Sequence, residues 1–178
     1  MTLSQLLRVI LLLAVATTVH ASAGNSTDSI DSNSTRYLEE AATVDFHIAM
    51  LNAVNKERSS RGLPKLCTHR DLQKAAQVHS ADMARRNYLS HTGSDGSTAT
   101  SRVRASGYRY TTVAENVAAG QSTVSKVMSS WMSSSGHRAN LLSTKYKMFG
   151  CGYAYSSSSK YKHYWTQNFA SGSGEVCG

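Results

Sequence analysis

Apolar residues recur at helical spacing at Val44, Ile48, Leu51 and Val54, and Gly62 with Pro64 closes that pattern. A second stripe, Leu72, Ala76, His79 and Met83, follows a capping-box pair, Thr68 with Asp71, and predicts a helix running to about residue 89. Residues 91–97 read as a Gly/Ser/Thr loop, and a short helix over 101–105 is closed by Gly107. Ala114-Glu115-Asn116 falls in the connection that follows. Val124, Val127, Met128 and Trp131 share one face of a third long helix that stops at Gly136, and 137–142 read as a brief helical turn. Two strands, 147–155 and 161–170, finish the pattern. Helices first and an antiparallel pair later predict an α+β sandwich rather than βαβ repeats.

The N-terminus changes the picture. Arg8 precedes an apolar run over 9–16, and Ala21-Ser22-Ala23 offers small residues for cleavage, so 1–23 reads as a secretory signal peptide. The run is far short of the roughly 20 apolar residues that span a bilayer. Residues 24–40 are rich in Ser, Thr, Asn and Asp and read as a disordered leader carrying two glycosylation sequons, at Asn25 and Asn33. One domain over 41–172 and a short tail, 173–178, complete the chain.

Charge narrows the partners. The chain carries a net +8, and 41–172 holds 17 Lys or Arg against 6 Asp or Glu. Such a surface favours anionic partners: a phospholipid membrane surface or an acidic cell-wall glycan. The cations are scattered and the chain is expected to be exported, so nucleic acid is not among the expected partners. Three cysteines leave one odd in an oxidising compartment. Cys151, between two glycines, reads as a small buried hydrophobe. Spacing does not fix a pairing; Cys67–Cys177 is favoured because it would tie down the chain end.

Candidate chemistry is sparse. His79 shares the stripe with Leu72 and Met83 and reads as a hydrogen-bonded core histidine; Ser80, its neighbour on a helix, points about 100° away and cannot pair with it. No nucleophile elbow, phosphate loop or His-Glu-x-x-His helix is present, and no catalytic residue is assigned. His91, Glu115 and His137 each stand in a connection bounded by turn or helix-ending residues, where functional groups tend to be displayed. Two imidazoles and a carboxylate are zinc-ligand or acid–base chemistry, although wide sequence spacing also allows three unrelated loop residues.

Taken in order, these segments resemble the CAP superfamily, the secreted domain of cysteine-rich secretory proteins, insect venom antigens and plant pathogenesis-related class-1 proteins. The marks are Leu51-Asn52 through Arg58, Gly62-Leu63-Pro64, His79-Ser80-Ala81-Asp82-Met83, Ser90-His91-Thr92 and Glu115-Asn116-Val117-Ala118. Trp131-Met132, Gly136-His137-Arg138-Ala139-Asn140, Gly150-Cys151-Gly152 and Tyr164-Trp165-Thr166-Gln167 complete them. The match covers 46–170 and looks most like the compact microbial branch.

The resemblance implies a three-layer α–β–α sandwich with a small antiparallel sheet and a cleft lined by two histidines and two acids. His91, Glu115 and His137 match three positions; Ser134 stands where the second acid is expected, and Ala114 where glycine is usual. Zinc or another divalent metal is the cofactor such a cleft suggests, held more weakly with one carboxylate missing. The resemblance also implies a secreted, extracellular protein that binds sterol, fatty acid or another apolar lipid. Tyr155, Tyr161 and Tyr164 come close to the family's aromatic spacing without meeting it. A metal-assisted hydrolase and a glycan or cell-wall module are the alternatives.

Overall fold

The computed structural model describes residues 32–172, with side chains from Phe46 onward. The expected signal peptide, Asn25, Cys177 and the tail lie outside the described residues; Asn33 is described in its backbone only. Five helices and four strands follow in order: α1 (Ser32–Ser59), β1 (Cys67–Thr68), α2 (Arg70–Arg86), α3 (Ala99–Ala105), β2 (Tyr110–Ala119), α4 (Val124–Ser133), α5 (Ser135–Leu142), β3 (Met148–Tyr155) and β4 (His163–Gly172). The sheet order is β1-β3-β4-β2. β4 pairs antiparallel with both neighbours, and the two-residue β1 runs parallel to β3.

Both faces of the sheet are covered, so β4 is buried along nearly its whole length and shows no polar alternation. Its side chains divide with period two. Tyr164, Thr166, Asn168 and Ala170 face α2, where Thr166 accepts a bond from Ser80 Oγ (2.9 Å) and Asn168 Nδ2 donates to the Leu72 carbonyl. Trp165, Gln167 and Phe169 face the opposite layer, packed among Met50, Met128, Trp131 and Phe149 from α1, α4 and β3. This is the three-layer α–β–α arrangement expected, built on a mixed sheet.

The Gly-Cys-Gly segment of β3 follows from the same alternation. A Cβ at Gly150 would collide with the α2 backbone at Leu72 and Gln73, and one at Gly152 with the backbone at Ala76 and Gln77. Only glycine lets α2 lie directly on the strand. Cys151 points the other way, buried and free, as a small core residue.

Several local expectations are corrected. Thr68 does not cap α2, because it is drawn into β1 opposite Phe149; the cap is His69, whose Nδ1 accepts from the Asp71 amide at 3.2 Å. α2 ends at Arg86 rather than near 89, since Asn87 takes the left-handed conformation (φ 56°) that stops a helix. Glu115 is not in a loop: Ala-Glu-Asn has low strand propensity, but β2 zips onto β4 with Glu115 opposite Asn168, and tertiary pairing overrides propensity. α1 begins inside the segment expected as a disordered leader; good helix formers over 38–42 favour that extension. Among the described residues no helix is long and apolar enough to cross a membrane.

Candidate functional site

β2 is an edge strand of the sheet, and Glu115 on it meets His91 and, through Asn116, the backbone of His137. Glu115, buried on the α2 face of the strand, is gripped from two directions. Arg102 of α3 donates from Nη2 to Oε2 at 2.7 Å, and His91 donates from Nδ1 to Oε1 at 2.9 Å. Arg102 is itself 7% exposed and holds the loop over it, donating to the carbonyls of His91 and Ser97. The short helix that carries Arg102 is fixed by a capping box, Thr98 with Ser101.

His91 keeps most of its ring in solvent. Its hydrogen bond to Glu115 holds its pKa above the ordinary imidazole value, against the opposing effects of burial and Arg102. His137, near the start of α5, has its pKa lowered by burial and then by the charge of His91. α5 is fastened to β2 through asparagines: Asn116 Nδ2 donates to the His137 carbonyl (3.2 Å), and Asn140 Nδ2 donates to Asn116 Oδ1 (2.9 Å) and the Glu115 carbonyl (3.3 Å). The structure therefore brings His91 and Glu115 into contact and His137 into their electrostatic neighbourhood. Ser134 forms the junction between α4 and α5, with no side-chain cap on α5.

The arrangement limits its chemistry. A carboxylate-oriented imidazole is general-base geometry, yet among the described residues no hydroxyl or thiol is hydrogen-bonded to the His91 ring. As a metal site the donor set does not fit. Both Glu115 oxygens are committed, one to a buried guanidinium that repels a cation, and Ser134 supplies no second carboxylate. Among the described residues no three His, Cys, Asp or Glu side chains are grouped to hold a metal.

Sequence reasoning missed Arg102, Asn116 and Asn140 as parts of the site. The signal for Arg102 was indirect: a lone buried acid needs a cationic partner. His79 behaves as expected. It is 1% exposed, its Nε2 lies 2.8 Å from the Ser90 carbonyl, and burial lowers its pKa.

The three tyrosines separate. Tyr155, just before the turn over 156–162, is 54% exposed and Tyr161, within it, 37%, whereas Tyr164 is 0% exposed and packs with Met83, Ala84 and Val117. Position 164 falls on the α2 face of β4, so its ring enters the core. The turn itself is docked, since Asn87 Oδ1 accepts from the Lys160 amide (2.7 Å) and from Tyr164 Oη (3.3 Å). Lys160 Nζ lies 5.2 Å from the Tyr161 ring centroid. Cys67 is not among the free thiols, and its expected partner is outside the described residues.

The sequence model of the CAP family, described as the cysteine-rich secretory protein family, matches residues 51–169. Over 120 residues the chain is 35% identical to the uncharacterized protein YkwD of Bacillus subtilis, covering 67% of this chain and 45% of YkwD. In structure it is similar to an extracellular protein containing an SCP domain from Bacillus anthracis, with TM-score 0.64 and 29% identity over 71% of this chain and 40% of that one. It is also similar in fold to an outer surface protein from Borrelia burgdorferi, with TM-score 0.63 and 18% identity over 68% and 89% of the two chains. The chain thus spans less than half the length of YkwD and of the Bacillus anthracis protein.

Proposed function

The chain belongs to the CAP, or cysteine-rich secretory protein, family, and on that footing we propose that it is an exported binding domain that takes an apolar lipid, a sterol or fatty acid, at the turn between β3 and β4. The observation that carries this reading is the pair of exposed rings, Tyr155 and Tyr161, beside Lys160 and Lys162. Amphipathic rings next to lysines suit a surface where one side is apolar and the other wet. The rings stand on a supported base: Tyr153 packs on Trp165 with centroids 4.3 Å apart, and its hydroxyl lies 2.8 Å from His163 Nδ1. Export is supported by the signal-type N-terminus and by the extracellular Bacillus anthracis relative. A Cys67–Cys177 bridge and glycans on Asn25 and Asn33 belong to the same reading.

The cleft contributes position rather than catalysis in this account. Glu115 holds α3 and the His91 loop to the sheet edge. Radiolabelled sterol binding tests the proposal. The Tyr155→Ser, Tyr161→Ser double variant should bind at least several-fold more weakly, because both rings leave the surface while the core residue Tyr164 stays. A folded double variant with undiminished binding, or a wild type that binds neither sterol nor fatty acid, would overturn the reading.

A further inference from the structure

The strand ends sort the molecule's charge. At the end of the sheet opposite the tyrosine turn, β1, β2 and β3 begin and β4 stops: Cys67 pairs with Met148, Met148 with Ala170, and Tyr110 with Gly172. Lys65, Lys145 and Lys147 lead into β1 and β3 there, and Arg104 and Arg109 flank the turn into β2. Arg70 opens α2 at the same end, where the preceding His69 amide donates to the Phe149 carbonyl at 2.8 Å. All six cations are exposed, and none is ion-paired among the described residues. Asp71, half-buried beside His69 and Gly107, is the acid that faces them, since Glu57 near the end of α1 is paired with Arg61 at 2.7 Å. With Glu175, which follows β4 outside the described residues, counted beside Asp71, the cations still lead six to two.

We propose that this end binds a linear polysaccharide with carboxylates on its rings, one carboxylate seated between Arg104 and Arg109 and the chain crossing the strand ends toward Lys147 and Lys65. A depression of about 510 Å³ forms the seat, lined by Arg104, Gly107, Tyr108, Arg109 and Tyr110. That volume falls within the roughly 300–1,000 Å³ usual for small-ligand sites. Arg104 is positioned before any ligand arrives: its Nη2 donates to Tyr110 Oη at 3.1 Å, and its Cζ lies 5.7 Å from the centre of that ring. One edge of the guanidinium is thereby fixed, and its other N–H groups have no partner among the described residues. A planar fork held in this way matches a carboxylate. From β2 to β1 the sheet end is three strand spacings wide, about 14 Å, a span for a chain of rings rather than for a single small anion.

Two other polyanions fit less well. Single-stranded nucleic acid takes aromatic faces on which bases stack; here Tyr108 is 4% exposed and the Tyr110 ring lies under Arg104. A membrane surface holds a protein through buried apolar area together with charge. The large apolar side chains that stand exposed among the described residues, Ile48, Val78, Leu89, Tyr155 and Tyr161, all lie away from this end. Charge without an apolar anchor suits a hydrated, anionic chain.

Titration calorimetry on the full chain with a ten-ring oligogalacturonate tests the site. Arg104→Gln with Arg109→Gln should weaken binding at least tenfold, and Lys145→Gln with Lys147→Gln at least threefold. Lys160→Gln with Lys162→Gln removes the same charge at the opposite end and should change binding less than twofold, which separates a local site from the overall charge. All these positions are exposed, and melting curves check that each variant folds. A neutral dextran of equal length should not bind, and a single-stranded oligonucleotide of equal charge should bind at least tenfold more weakly than the oligogalacturonate. Phosphatidylserine vesicles are offered to the Tyr155→Ser, Tyr161→Ser variant, so that lipid uptake at the turn is not counted, and should not bind. No binding of the oligogalacturonate, equal losses in the two charge-matched arginine and lysine variants, or equal affinity for dextran, oligonucleotide or vesicles would overturn the proposal.

Discussion

Glu115 sits buried between a guanidinium and an imidazole, 2.7 and 2.9 Å away. Removing it strands Arg102 as an uncompensated buried charge. Glu115→Ala should therefore cost about 3–5 kcal/mol of stability, the range for breaking a buried pair, and the double variant with Arg102→Met should recover part of that loss. Urea unfolding of the four-member cycle measures it; a single-variant cost under about 1 kcal/mol would show the pair to be dispensable. His91 adds a pH dependence. Its folded pKa is raised above 6.5, so its contribution is complete below that pH and is lost as pH rises through the folded value. His79 and His137 are lowered, so theirs is present above 6.5 and is lost as pH falls through their folded values. Between pH 7.5 and 5.5 the two effects oppose. His91→Ala should therefore lose more melting temperature on acidification than the wild type; equal losses would deny the His91–Glu115 contact a role.

At the level of elements, the contact of α2 with β3 is the tightest constraint. Gly152→Ala would drive a methyl into the α2 backbone at Ala76, with an overpacking cost of about 1–3 kcal/mol or more. Cys151→Ala, on the opposite face, should cost less than Gly152→Ala although it deletes a buried sulfur; denaturant midpoints of the two variants rank them, and the reverse order would misplace α2. The helices were legible because their apolar stripes repeat at the helical period, and α2 and α4 lie close to where the stripes put them. β2 was not, because Ala114-Glu115-Asn116 has no strand signature and owes its conformation to β4, some fifty positions later. Tyr164 was misjudged for the same kind of reason. Tyrosine spacing says nothing about strand phase until the register of β4 puts even positions on the α2 face. Of the residues singled out, His91 and Glu115 do meet, but what binds them was not legible: Arg102 sits on a helix of seven residues, where one buried arginine leaves no periodic trace.

Across the whole molecule, the two faces of one small sheet carry different work. The layer of α1, α4 and α5 closes over the larger core cluster, with Arg58 buried at the end of α1 and bonded to the carbonyls of Pro64, Leu141 and Ser143. The layer of α2 and α3 holds the Glu115 network, and the turn with Tyr155 and Tyr161 projects from one end, tied to the C-terminal end of α2 through Asn87. The excess of positive charge and the exposed rings are the features on which the proposed lipid reading rests. The central proposal is that this domain takes an apolar lipid at the turn between β3 and β4 rather than a metal ion in its histidine–glutamate cleft. Native mass spectrometry of the exported protein, equilibrated with sterol and an equimolar amount of zinc, tests it most directly. A complex with one sterol and no stoichiometric zinc is expected; one equivalent of zinc, lost on His137→Ala, with no lipid adduct would overturn the proposal.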